Sequence, residues 1–391
     1  MLTYYLFFLL LLLLSCLDYL AIRGKDLIEI KSKALKSVFF VILFFVGFRY
    51  KLASDWKSYE LMLNQIEPFS EVLFSYCPNF EGLNIEIGFK LYLSLLKQLG
   101  LNLEFLTFSV SCFNLISFYY FLKWLNLKRI FTYIFVYLSI VMIVEFDIMR
   151  QSLALYIFLY AIPYIGISLK RYLLIIIIAS CFHITAILLL PLYFMKKMPI
   201  SKSSFLAIGF LYIVTLFIPL PLSKVLEAIS FFSGSLSFER FSYFIDLYTK
   251  PTGITVTACF NLLLLLMAFI MNYRIKEYSA TYQLLYKFYL LYILVYIIFG
   301  GVKMATDRIV YYFYFAFAFV FVSSIDLNYS HKNKYLLMFI CLMYPFLRLN
   351  SIFSNEAAKI GLTPYRTFFY IPISDEEIYN RWDKMQLEAE E

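Results

Sequence analysis

Histidine is nearly absent from this sequence: His183 and His331 are the only two in 391 residues. Paired-histidine metal sites of the HExxH kind are therefore impossible. No DxD occurs, which disfavours a metal-dependent nucleotide-sugar site, and no ligand set for any other metal stands out. Walker A, GxGxxG and GxSxG patterns are missing too, so neither an ATPase, a dinucleotide enzyme nor a serine hydrolase of the usual kind is suggested. The six cysteines (Cys16, Cys77, Cys112, Cys181, Cys259 and Cys341) form no CxxC pair, hence no disulfide framework and no zinc site. Charge is scarce as well: 15% of residues are charged, where a soluble domain carries roughly a quarter. A soluble enzyme, a nucleic-acid-binding domain and a disordered chain are thereby excluded.

What is abundant is apolar surface. Hydrophobic residues make up 62% of the chain, with 44 Phe and 35 Tyr, and the mean hydropathy is +0.78. At about 20 residues per span, roughly ten transmembrane helices fit. The expected fold is all-α: a polytopic membrane protein in the lipid bilayer, with about ten spans and one re-entrant helical hairpin. Apolar runs cover residues 4–22, 35–48, 103–122, 130–146, 151–169, 172–195, 204–222, 254–273, 284–301, 309–325 and 335–349. The first imitates a leader but lacks a basic start and continues past Cys16, so it reads as a membrane helix.

Basic residues set the orientation, because Lys and Arg collect in cytoplasmic loops. Arg23, Lys25, Lys31, Lys33 and Lys36 put the first loop inside, and Lys123, Lys128 and Arg129 mark another. The run 172–195 is flanked by Lys170 and Arg171 before it and by Lys196, Lys197 and Lys202 after it. Both ends belong inside, and Pro191 interrupts a helix. A hairpin with its tip near His183 satisfies both; the alternative is one kinked span with a basic outer loop. The whole of 1–391 then forms a single transmembrane domain, with extracytoplasmic loops 49–102 and 223–253 and an extracytoplasmic tail 350–391. The stretch 85–101 has helical apolar spacing but carries Glu86, Lys90 and Lys97, so it reads as an amphipathic surface helix.

Polar residues at membrane depth or at span ends are functional candidates. Arg49 ends the second run, Arg150 and Arg308 open later helices, and Arg240 lies in an outer loop. Helix N-termini favour anions, and guanidinium forks suit phosphate oxygens. The competing explanation is snorkelling, or pairing with Asp147 and Asp307. His183 is either a proton acceptor or a neutral histidine bonded to a carbonyl. Asp55 and Glu86 are either a base or solvated loop charges.

Several short motifs occur in a telling order: Gly47-Phe48-Arg49-Tyr50, Ser54-Asp55-Trp56 with Tyr59, Glu86-Ile87-Gly88-Phe89, Met149-Arg150-Gln151-Ser152, Cys181-Phe182-His183 with Pro191, Arg308 with Tyr311 and Tyr312, and Pro364-Tyr365. In this the chain resembles the EpsG family of bacterial membrane proteins, relatives of Wzy-type polysaccharide polymerases. It departs at Ala53, where the family commonly has glycine. The resemblance implies a GT-C-type, inverting, metal-independent and cofactor-free glycosyltransferase of the bacterial cytoplasmic (inner) membrane, with its site on the extracytoplasmic side. Its donor and acceptor would be polyprenyl-pyrophosphate-linked oligosaccharides, and a chain-length regulator protein would be a further partner. Arg49, Arg150, Arg308 and Arg240, with Tyr50, Glu86 and Tyr311, would bind the pyrophosphate and substrate; His183 or Asp55 would take the acceptor proton. A lipid-linked oligosaccharide flippase and a membrane ligase or O-acyltransferase remain as alternatives.

Overall fold

The computed structural model describes residues 1–19, 25–74, 85–218, 253–270, 279–300, 303–326 and 331–390. Among these the secondary structure is helical, and pairing of extended backbone is confined to isolated bridges at Arg49, Thr367 and Tyr370. Two compact units emerge, Met1–Phe194 with Leu342–Glu391, and Met195–Cys341.

In the first unit α1 (Leu2–Ser15) packs on α7 (Ile130–Asp147), α2 (Lys25–Gly47) on α6 (Leu103–Leu125), and α6 on α8 (Met149–Ala161). A helix apolar on every side belongs in the middle of a bundle. α7, with the sequence IFTYIFVYLSIVMIVEFD, is such a helix and is buried along nearly its whole length. α6 begins where the Asn102 side chain accepts a hydrogen bond from the Phe105 N–H at 3.2 Å, and ends at Asn126 in the left-handed conformation. α6 and α7, together with Ala280–Phe299 in the second unit, are long and apolar enough to cross a membrane; Leu2–Asp18, Lys202–Phe217 and Thr257–Ile270 are shorter apolar helices.

The run 172–195 does not form one span. α9 (Leu169–Ser180) stops at Cys181, and a 3-10 segment (Ile184–Lys197) containing Pro191 follows. Were the run a straight helix, Tyr172 and Tyr193 would lie roughly 30 Å apart at 1.5 Å per residue. Instead their rings are 5.6 Å apart, and Tyr172 Oη donates to Leu189 O at 2.5 Å. The chain therefore folds back on itself, with His183 at the bend.

Above α6 and α8 lies a layer of short helices. α3 (Trp56–Gln65), α4 (Phe69–Phe74) and α5 (Ile87–Gln98) precede α6 in sequence. α5 buries Phe89, Leu93 and Leu96 while exposing Ile87 and Leu95, the two-faced pattern expected of the 85–101 stretch. Lys97 Nζ donates to the carbonyls of Leu63 and Asn64, capping the end of α3.

The second unit contains α10 (Lys202–Phe217), α11 (Val256–Ile270), α12 (Ala280–Phe299), α13 (Lys303–Val310) and α14 (Tyr314–Ser323). Inside it, Asn261 Nδ2 donates to Tyr212 Oη at 3.0 Å, and Tyr289 Oη donates to Asn261 O at 3.0 Å. One expectation fails here. Arg308 does not open a helix; it lies in the last turn of α13, before the 3-10 turn Tyr311–Phe313. The apolar run 309–325 hid this break, because a 3-10 turn keeps its aromatic residues buried and leaves no mark in hydropathy. Arg308 thus has no free helix N-terminal N–H groups beside it.

The chain finishes with α15 (His331–Phe353), α16 (Glu356–Leu362) and α17 (Asp375–Glu390). The segment after α15 returns to the loop that follows α2. Tyr50 N donates to Arg366 O, Ala53 N to Gly361 O, and Phe368 N to Phe48 O, all near 3 Å. The Arg366 guanidinium donates to Tyr50 O at 3.3 Å and to Lys51 O at 2.5 Å. The contact is needed because the loop is unfavourable alone: Lys51 and Ala53 have φ of 46° and 72°, in the left-handed region that favours glycine. Ala53→Gly should therefore stabilise the protein by about 1 kcal/mol. Thermal unfolding in detergent checks this; an unchanged or lower midpoint would show the loop to be unstrained.

Candidate functional site

The side chains of Arg150, Glu86, Tyr59, Asp55 and Asp147, from three stretches of the first unit, meet at its loop-bearing end. Arg150, at the second position of α8, reaches Glu86 with Nη1 2.7 Å from Oε2. Glu86 immediately precedes α5, and its other oxygen accepts from the Ile184 N–H at 3.2 Å, just past the bend of the hairpin. Glu86 therefore joins the surface helix, the α8 N-terminus and the hairpin tip. The approach is close: Gly88 N donates to Cys181 O at 2.7 Å, and a Cβ on Gly88 would lie 2.7 Å from that same oxygen. Only glycine fits there without a shift of backbone.

Tyr59, buried on α3, is hydrogen-bonded by Arg150 and feels the charge of Asp55; burial pushes its hydroxyl up to about 12. The pair stays accessible, since the side chains of Arg150 and Glu86 keep 25% and 16% of their exposure.

Asp147, the last residue of α7, holds the neighbouring loop. Its Oδ1 accepts from Ser54 N at 2.5 Å, Ser54 Oγ at 2.8 Å and Asp55 N at 3.0 Å. Pairing of Arg150 with Asp147, the structural alternative raised by the sequence, is not what forms; Glu86 takes that place. Asp55, Ser54 and Asp147 line a cleft of about 540 Å³ whose opposite wall comes from α16 and α17.

The remaining sequence candidates are placed as follows. Arg49 is 4% exposed; its Nη1 donates to Val46 O at 2.7 Å and to Ser111 Oγ at 3.2 Å, and its guanidinium lies 4.6 Å over the Phe146 ring. Burial pushes it down to about 10, against the opposing pull of Tyr365, Glu145 and Asp147. It stays charged at neutral pH, behind the loop rather than in the cleft. Tyr50 is packed among Trp56, Tyr59 and Phe89, with its hydroxyl donating to Asp375 at 3.0 Å. His183 is buried, with Nδ1 2.6 Å from Thr185 Oγ1. Arg308 and Tyr311 belong to the second unit, where Tyr311 is fully buried. Arg240 lies outside the described residues.

Among the described residues no group of three or more His, Cys, Asp or Glu is placed to hold a metal ion. A family model for the EpsG family matches residues 34–367. The chain belongs to the EpsG family. EpsG proteins are Wzy-like polymerases, so this is a membrane protein of glycosyltransferase-like, polysaccharide-polymerising type. No curated protein and no solved structure matches the chain. The EpsG match takes in Glu86, Arg150, Asp147 and Asp55, and ends just after Arg366; α17 falls beyond it.

Residues that sequence reading passed over are Asp147 as the anchor of the Asp55 loop, Arg366 as its brace, and Trp382 and Gln386 in the cleft wall. Asp147 lay three positions from Arg150, which hinted at an ion pair instead. Arg366 adjoins the Pro364-Tyr365 motif, a signal that could have drawn attention to it.

Proposed function

We propose that this EpsG protein polymerises polysaccharide repeat units outside the bacterial cytoplasmic membrane. The growing glycan moves from polyprenyl pyrophosphate to a sugar hydroxyl of another lipid-linked repeat unit. The observation that carries this reading is the accessible Arg150–Glu86 pair at a helix N-terminus, beside Asp55 and its cleft.

In the reaction the acceptor oxygen forms a bond to the anomeric carbon as the bond to the pyrophosphate oxygen breaks. The pyrophosphate leaves with the electron pair, and inversion follows from attack opposite the leaving group. Arg150, held by Glu86, meets the negative charge that develops there. Arg49 adds fixed positive charge from behind. Asp55 takes the acceptor proton, since it lines the cleft while Arg150 faces the leaving group; His183 is the second candidate for that proton.

A strain lacking this chain tests the reading. Loss of polymer with single repeat units still exported is the polymerase outcome. Repeat units trapped in the cytoplasm would mean a flippase, and normal polymer that is not passed on or acylated would mean a ligase or O-acyltransferase. Because nothing in the proposed mechanism calls for a metal ion, purified protein should also extend lipid-linked repeats in excess chelator. Activity lost to chelator and restored by magnesium would overturn the metal-independent mechanism.

A further inference from the structure

The cleft beside Asp55 has a chemistry opposite to that of Arg150. Its polar lining is Ser54, Asp55, Ser58, Asp147 and Gln386, the remainder is apolar, and no basic residue contributes. Two carboxylates in a lining with no basic residue disfavour a pyrophosphate, whereas carboxylates, hydroxyls and an amide match the hydroxyl groups of a neutral sugar. Asp147 has capacity to spare. The three donors from Ser54 and Asp55 all bind Oδ1, which leaves Oδ2 without a hydrogen-bond donor among the described residues.

Trp382 contributes its indole to the cleft lining; Lys57 Nζ lies 4.0 Å over one face of that ring, which leaves the other face as the one a sugar ring would stack on. The orientation of the indole is fixed, because Nε1–H donates to Ser54 O at 2.6 Å. The volume of about 540 Å³ lies in the ordinary range for small-ligand pockets.

The wall bearing Trp382, Met385 and Gln386 is α17, which begins at Asp375, eight residues past the end of the EpsG match. The floor, Ser54, Asp55 and Asp147, lies within the match. The floor and the α16 part of the wall thus lie within the matched residues, and the α17 part lies past them.

We infer that this cleft is the subsite for the acceptor sugar, with Asp55 and Asp147 holding its hydroxyls and Trp382 and Gln386 of α17 selecting which sugar is accepted. The acceptor role rests on the polymerase reading above; the sugar-binding role does not.

The test uses full-length protein in lipid nanodiscs. The probe is the repeat-unit oligosaccharide released by mild acid from lipid extracts of a strain lacking this chain, so that it carries neither lipid nor pyrophosphate. Tryptophan emission reports binding, since the chain has only three tryptophans. The free glycan should perturb emission, Trp382→Phe should abolish most of that change, and Gln386→Ala should weaken binding by up to about tenfold, the loss of one hydrogen bond. In transfer assays Gln386→Ala should raise the acceptor KM by a similar factor and leave the donor KM alone. A glycan response unchanged in both variants, a response to inorganic pyrophosphate or magnesium in place of the glycan, or a rise in donor KM would each overturn the assignment. Glycan binding without any transfer by the unmodified protein would retain the sugar subsite and refute the polymerase reading. Transfer that is normal in both variants would do the reverse.

Discussion

Replacing Arg150 with lysine should nearly abolish polymerisation while the protein still folds and inserts. Lysine keeps the charge but not the planar fork, and a point charge on a flexible stem cannot present two parallel donors. It would also loosen the 2.7 Å contact to Glu86 that aims the group. Losing one preorganised contact to developing charge costs on the order of 3 kcal/mol, or about a hundredfold in rate. Arg150→Lys should therefore fall by about that factor and behave nearly like Arg150→Ala. Folding should survive because the side chain is partly exposed and bridges to Glu86 across the surface, where ion pairs contribute little to stability. Rates of extension of lipid-linked repeats, alongside thermal unfolding in detergent, check both halves. Polymer of normal length from Arg150→Lys would return this arginine to the role of a membrane anchor.

The second large effect is expected far from the chemistry in sequence. Arg366 is 2% exposed, burial pushes its guanidinium down to about 10, and it donates to the carbonyls of Tyr50 and Lys51. Methionine has similar bulk and no donors. Arg366→Met would strand two buried carbonyls, at about 1–3 kcal/mol each, in a loop already carrying two left-handed residues. A stability loss of about 2–6 kcal/mol is expected, with release of the loop that presents Asp55. Arg366→Lys should recover part of it, since one ammonium still reaches a carbonyl. Midpoints of thermal unfolding for the two variants, with proteolysis at the Lys51 loop, measure this. Equal midpoints for Arg366→Met and the unmodified protein would show that the loop holds its shape unaided.

Much of the helical framework was legible because hydropathy and charge are local. The runs 103–122 and 130–146 correspond to α6 and α7 almost residue for residue. The double basic flank of 172–195, together with Pro191, pointed to a fold-back that the Tyr172–Tyr193 contact bears out. Helical spacing with interspersed charge identified α5. The partnerships were not legible. Glu86 and Arg150 lie 64 residues apart, and Arg366 and Lys51 lie 315 apart; no periodicity encodes such a meeting. Arg308 misled because an apolar run does not distinguish an α-helical turn from a 3-10 one. The left-handed Lys51 was equally silent, since glycine, the usual marker of that conformation, is not there.

The brace on the Asp55 loop also bears on when the protein becomes competent. Ribosomes deliver a chain from its N-terminus, at roughly 5–20 residues per second. Ser54 emerges 328 residues before the Trp382 that fixes its carbonyl. The loop thus waits on the order of tens of seconds for its support, through the insertion of every intervening helix. A nascent chain halted anywhere before Arg366 would carry Arg49, Asp55, Glu86 and Arg150 and still lack a shaped site. On the proposed reading of Asp55 and Arg150, assembly of that end is in this way deferred until the C-terminal helices have been made.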